Sequence, residues 1–195
     1  MKTTIFNATF LRPALWVIGH AFVRAMGWKV KGVAPVEKKY VLICAPHTSN
    51  WDGVFLIAFA FIFKLDLRWL AKDSLFAFPF KNVLLWLGAI PVDRSQRQNL
   101  VQIMIEELEK HDSLVLAIPP EGTREKVGKW KTGFYHIAFG AKIPIVYGFV
   151  DFEHKCLGVG GSFTPTGDAE ADIPQIQVFY KNIKGKNDQT SISQV

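Results

Sequence analysis

Three short runs of consecutive apolar residues stand out along the chain: Tyr40–Cys44 (YVLIC), Leu114–Ile118 (LVLAI) and Ile143–Val150 (IPIVYGFV). Unbroken runs of this length, rich in β-branched residues, predict strands buried on both faces. Elsewhere the pattern takes a helical period. Between Ser95 and His111, Leu100, Val101, Met104, Ile105 and Leu108 share one face, while Glu106, Glu107, Glu109 and Lys110 lie opposite. Further helices are predicted in the apolar segment after Asp52, around Leu75–Leu87, over Gly133–Gly140, and over Ala171–Asn182 behind the capping residues Thr166 and Asp168. Strands separated by helices predict an α/β fold, a single domain with a largely parallel central sheet flanked by helices. No repeat or low-complexity linker divides the chain, so one domain is expected over residues 1–183, and the polar stretch 184–195 reads as a flexible tail.

Two apolar stretches raise the question of a membrane. Ile5–Trp28 carries Arg12, Pro13, His20 and Arg24, and only eleven uncharged residues separate the two arginines. About 20 are needed to cross the hydrocarbon core. Val54–Phe63 (VFLIAFAFIF) is ten residues long before Lys64, Asp66 and Arg68 intervene, a length suited to a core helix or an interfacial segment. Neither stretch has the clean apolar core and small-residue cleavage site of a secretory signal. No transmembrane helix is expected. The N-terminal residues 1–28 fit an amphipathic helix with two placements open. It lies in the headgroup region with Trp16 and Trp28 at the boundary and Lys2, Arg12 and Arg24 facing anionic lipid, or it packs on the domain's own core. The resulting expectation is a cytoplasmic protein, peripheral on the inner membrane face.

Composition narrows the partners. With 49% hydrophobic and 21% charged residues, wholesale disorder is excluded. Sixteen Phe and six Trp exceed what a core of this size needs, which fits a lipid contact or an acyl-binding groove. A net charge of +6 and a pI near 9.3 suit an anionic membrane surface or phosphorylated substrates. No dense Lys/Arg run or RNA-binding signature is present, so no nucleic-acid partner is expected. Cys44 and Cys156 lack metal-ligand spacing and read as buried apolar thiols, with a disulfide between them left open. His20, His111, His136 and His154 are scattered singly and suggest no metal site.

Candidate chemistry falls just after the strands, where ligands of such sheets collect. Behind YVLICAP comes His47-Thr48-Ser49-Asn50-Trp51-Asp52, a histidine with a carboxylate five positions on. On a regular helix that spacing leaves the two about 140° apart. Contact therefore requires a turn before the helix begins, and Thr48, Ser49 and Asn50 suit one. Asp52 then accepts from one ring nitrogen and leaves the other as a base toward a hydroxyl. A histidine beside an aspartate is common, and alone this pair decides nothing. A second cluster, Gly88-Ala89-Ile90-Pro91-Val92-Asp93-Arg94-Ser95, reads as a loop in which Arg94 either reaches an anion as a bidentate fork or pairs with Asp93 at the surface. A third, Pro119-Pro120-Glu121-Gly122-Thr123-Arg124, holds Glu121 to accept from a substrate hydroxyl and Arg124 to bind phosphate. Lys126, Lys129 and Lys131, which follow, read as a solvated loop.

In order, HTSNWD, GAIPVDR, PPEGTR and IPIVYG resemble the four motif blocks of the glycerolipid and lysophospholipid acyltransferases, over Val41 to Gly148. That family includes the 1-acylglycerol-3-phosphate acyltransferases. The resemblance implies a general base at His47 oriented by Asp52, an acceptor phosphate on Arg94, the acceptor's head on Glu121 and Gly122, and help from Arg124. It also implies an acyl-CoA or acyl-carrier-protein donor, a lysophospholipid acceptor, a place in phospholipid biosynthesis, and no cofactor. The sequence departs from the family pattern where Pro91 replaces a bulky residue and Pro119 a phenylalanine, and the block around Pro144 matches loosely. Two other readings compete. A Ser–His–Asp hydrolase lacks a G-x-S-x-G elbow, its nearest serine being Ser162 in GGSFT. A non-catalytic lipid-binding protein of the same fold has no need of an intact His47, Asp52 and Glu121.

Overall fold

The three apolar runs become β2 (Lys39–Ala45), β5 (Leu114–Ile118) and β6 (Ile145–Asp151), adjacent strands at the centre of a seven-stranded sheet. A computed structural model describes residues 3–93, 97–125 and 127–187. Along the sheet the order is β1-β7-β6-β2-β5-β3-β4, with β1 (Lys29–Lys31), β3 (Leu67–Lys72), β4 (Ala89–Val92) and β7 (Cys156–Phe163) completing it. Five strands, β2 to β6, run parallel; β7 turns back antiparallel to β6, and β1 pairs parallel with β7. The expected largely parallel α/β fold is thus the observed one.

Alternate residues of the central strands feed two cores, one on each face. Val41, Ile43, Leu114 and Leu116 face α4 (Arg97–Glu109), α5 (Gly133–Gly140) and α6 (Ala169–Tyr180), where Met104, Leu108, Phe134 and Ile176 are buried. Tyr40, Leu42, Val115 and Ala117 face α1 (Arg12–Ala25) and α2 (Trp51–Ile62), with Val23, Phe55 and Phe59. Helices on both faces are what a continuously apolar parallel strand requires. The helix predicted around Leu75–Leu87 shortens to α3 (Lys81–Trp86) behind a single 3-10 turn at Asp73–Leu75.

Four strands are absent from the sequence reading, and each breaks the apolar pattern. In β3, Arg68 is only 2% exposed, its guanidinium donating to Asp66 at 2.6 Å and to the Thr4 hydroxyl at 3.2 Å. A paired charge of this kind can occupy a buried strand position. The expected Gly88–Arg94 loop contains β4, which tolerates Pro91 because it is the edge strand, paired on one side alone. β7 is rich in glycine, and β1 is too short to show a period.

One side of the N-terminal helix packs on the domain's own core, and another side is open. Gly19 and Val23 of α1 are buried, with Gly19 against Ala58 and Ile62 of α2, while Trp16, Val17 and Ile18 stay exposed. Two anchors differ from expectation. Trp28 is buried, its ring 4.1 Å from that of Phe55 and 4.9 Å from that of Phe152. Arg12 turns inward to the Phe6 carbonyl at 3.5 Å, because the helix begins there and the preceding chain folds back over it. Lys2 lies outside the described residues. No helix among the described residues is long and apolar enough to cross a membrane.

Between α5 and α6 lies a buried polar knot. The Asp172 carboxylate accepts from the Tyr135 hydroxyl at 2.6 Å and from the Thr166 amide at 2.8 Å, while Tyr135 accepts from the Gly167 amide at 2.9 Å. Burial pushes the Asp172 pKa up, but the hydrogen bonds from Tyr135 and Thr166 outweigh it and hold the carboxyl below its ordinary value. A group depressed in the folded state stabilises above its unfolded pKa, and that contribution is lost as pH falls through the folded one. Tyr135→Phe, which leaves Gly167 N–H and Asp172 short of a partner, is expected to cost about 1–3 kcal/mol in urea unfolding at pH 7. The gap from wild type narrows as pH falls below the ordinary carboxylate value and through the lower folded one, where Asp172 protonates; a gap independent of pH would contradict this account.

Candidate active site

Because β2 and β5 pair in parallel with Ile43 opposite Ile118, the loops that follow them leave the sheet side by side. Pro46 to Asn50 forms the turn expected from the His47–Asp52 spacing, and α2 starts only at Trp51. The turn brings His47 Nδ1 to 3.2 Å from Asp52 Oδ2. The same oxygen accepts the amides of Thr48 at 2.7 Å and Ser49 at 2.8 Å. Oδ1 accepts from the Ser49 hydroxyl at 3.3 Å. Asp52 thus organises the loop that carries His47 as well as meeting its ring, from the first turn of a helix, where the dipole favours a carboxylate. The His47 side chain is 26% exposed against 10% for Asp52, so the ring borders solvent and its orienting partner is covered.

Glu121 arrives from the neighbouring strand. It is buried, and its carboxylate accepts from the His47 amide in a long contact of 3.4 Å. Behind Pro119-Pro120 the chain turns tightly, with the Gly122 amide donating to the Pro119 carbonyl at 3.1 Å and Gly122 at φ +66. A Cβ at that position would lie 2.5 Å from Lys131 Nζ, so the lysine side chain lies across the glycine. Lys131 was not expected here. It sits nine residues beyond Gly122, and no local spacing connects them; the link is the Lys131 amide donating to the Pro120 carbonyl at 2.8 Å.

His47, Asp52, Glu121 and Gly122 therefore share one end of the sheet. Arg124 is exposed on the same turn. Arg94 lies outside the described residues.

A nucleophile of the protein's own is poorly served by this geometry. Ser162 pairs with Val146, which lies opposite Leu42, so it sits at the level of Leu42, five residues before His47 along the strands. That is a separation on the order of 15 Å. Cys44 and Cys156 are both free thiols. Burial raises the Cys44 pKa to about 12, helped by the nearby Glu121 and Asp52 carboxylates, which keeps it a thiol. The other histidines have local contacts: His20 stacks edge-on to Trp16 and His136 to Tyr135, His111 meets Glu107 at 3.3 Å, and His154 meets Asp151 at 2.7 Å.

An oriented imidazole beside a buried glutamate suits base-assisted attack by a substrate's own hydroxyl, and the nearby Ser49 hydroxyl is engaged by the Asp52 carboxylate. Comparison with known proteins agrees in kind. The family model described as Acyltransferase matches residues 27–147, more than half of the chain and all of these groups. The chain belongs to the acyltransferase family. A 1-acyl-sn-glycerol-3-phosphate acyltransferase of Saccharomyces cerevisiae is 32% identical over 147 residues, 68% of this chain and 48% of the yeast protein. A probable 1-acyl-sn-glycerol-3-phosphate acyltransferase of Mycoplasma pneumoniae is 33% identical over 64% of this chain and 50% of its own length. The acyltransferase chain thus spans about half the length of these curated relatives. Its fold matches the crystal structure of the 1-acyl-sn-glycerophosphate acyltransferase PlsC of Thermotoga maritima, with a TM-score of 0.59 over 91% of this chain and 83% of that one, at 17% identity.

Proposed function

We propose that this acyltransferase moves a fatty acyl group from an acyl thioester, acyl-CoA or acyl-carrier protein, to a hydroxyl of a lysophospholipid in phospholipid biosynthesis. The acceptor is 1-acylglycerol-3-phosphate. The observation that carries the reading is the His47–Asp52 pair at 3.2 Å, on a loop that abuts Glu121. Nδ1 faces Asp52, so Nε2 is the nitrogen that takes the acceptor's hydroxyl proton as its oxygen attacks the thioester carbonyl. Asp52 stabilises the imidazolium that results, the division of labour known from serine hydrolases, with substrate oxygen in place of an enzyme serine. Collapse forms the ester C–O bond and breaks the C–S bond, and the imidazolium returns its proton to the departing thiolate. Glu121 and Gly122 bind the acceptor's polar head, and Arg94 and Arg124 its phosphate, with Lys131 adding charge across Gly122.

Both substrates carry long acyl chains, and the exposed surface suits a lipid phase. Phe10 is 81% exposed, and Trp16, Val17 and Ile18 on α1 are open too, with Arg24 exposed nearby. A cluster of this kind on a basic protein supports peripheral contact with the anionic, cytoplasmic membrane face. One experiment tests the reading: acyl-CoA and acyl-carrier-protein donors crossed with several lysolipid acceptors in vesicles containing anionic lipid. Transfer to lysophosphatidate is expected to exceed transfer to uncharged monoacylglycerol. Equal rates with both would remove the phosphate from the proposal, and vesicle binding without transfer from any donor would favour a lipid-binding role.

A further inference from the structure

Four residues of the stretch expected to fray are docked against the loop that carries His47. The Lys184 carbonyl accepts from the Phe152 amide at 2.9 Å, tying the segment to the end of β6. Gly185 is buried so tightly that a Cβ there would stand 2.5 Å from Thr48 Cγ2 and 2.6 Å from its Oγ1. Lys186 Nζ lies 4.8 Å from the centre of the Trp51 ring. The Asn187 side-chain amide donates to the Thr48 carbonyl at 2.8 Å.

That last bond has a particular consequence. The Thr48 carbonyl and the Ser49 N–H belong to one rigid peptide plane. Its oxygen is held by Asn187 and its N–H by Asp52 Oδ2, at 2.8 Å each. The plane cannot rotate without losing both bonds, and the carboxylate oxygen at one end is the one that meets His47. We propose that Asn187, seated by Gly185 and Lys186, is a positioning residue: it fixes the Thr48–Ser49 peptide and through it the Asp52 carboxylate that orients His47. The proposal rests on the acyl-transfer reading. It adds a segment beyond residues 27–147, the part of the chain that the family model matches.

The test uses full-length Asn187→Ala, Asn187→Asp and Asn187→Gln. The first two remove the donor, and the third keeps an amide on a longer arm. Two readouts are taken: amide hydrogen exchange of the segment 46–52, which needs no substrate, and steady-state kinetics well below the melting temperature. Loss of the donor is expected to speed exchange in that segment. It is also expected to lower kcat about tenfold, less than the ~10²-fold of a full ångström misplacement, with KM for donor and acceptor within about twofold of wild type. Asn187→Gln is expected to recover part of both. Unchanged exchange in 46–52 overturns the proposal, as does faster exchange with undiminished kcat. A wild-type chain inactive with every donor and acceptor would instead sink the acyl-transfer reading, while the exchange data still decide whether Asn187 holds the loop.

Discussion

Alanine in place of His47 is expected to lower kcat with thioester donor and lysolipid acceptor by about 10²–10⁴-fold, the range a positioned general base contributes. The fold survives the change. The His47 side chain is partly exposed, its contact with Glu121 is made by the backbone amide and persists, and Asp52 keeps the Thr48 and Ser49 amides. If the proton moves only as the hydroxyl attacks, as proposed, kcat and kcat/KM are expected to fall together while KM changes little. Some transfer remains from holding the two substrates together. Turnover within a few-fold of wild type, in a variant whose melting temperature is unchanged, would show that another group takes the proton. Cys44 and Ser162 are poor candidates, the first kept a thiol by its raised pKa and the second paired with Val146 at the level of Leu42, five residues back along the strands.

How far such an experiment could be designed from residues alone varies along the chain. The strands that build the site were legible, because β2, β5 and β6 are buried on both faces and their apolar runs have no competing period. The turn at Thr48–Asn50 was legible for a geometric reason: five residues of regular helix cannot bring His47 onto Asp52. Legibility failed where one local feature had two meanings. Pro91 marks a loop in most contexts but is at home in an edge strand, and nothing local says that β4 lies at the edge. Arg68 interrupts the apolar pattern of β3, and only the contacts with Asp66 and Thr4 account for its burial. Of the site, His47, Asp52, Glu121 and Gly122 were visible as blocks after strands. Lys131 and Asn187 were not, since each reaches the site through a contact with no counterpart in sequence spacing.

Asp52 joins the loop's architecture to its chemistry, and two substitutions pull these apart. In Asp52→Asn the amide oxygen can take the place of Oδ2 and still accept from Thr48, Ser49 and His47, while the new NH₂ faces the Ser49 hydroxyl, which can accept. The scaffold is kept and the negative charge is lost. Turnover is expected to fall about 10²–10⁴-fold with little change in melting temperature, since the loss of a charged orienter in a histidine dyad has an effect of that order. Asp52→Ala removes the acceptor as well. The Thr48 amide is then left buried without a partner, at a cost of about 1–3 kcal/mol, and turnover falls at least as far as in the asparagine variant. If asparagine left kcat near wild type while alanine abolished it, Asp52 would be a scaffold for the loop and the charge would have no part in catalysis. If both variants unfolded alike, the carboxylate itself would be needed to hold the turn. The expected pattern, asparagine folded and slow, alanine slow and less stable, assigns Asp52 both tasks through a single oxygen atom.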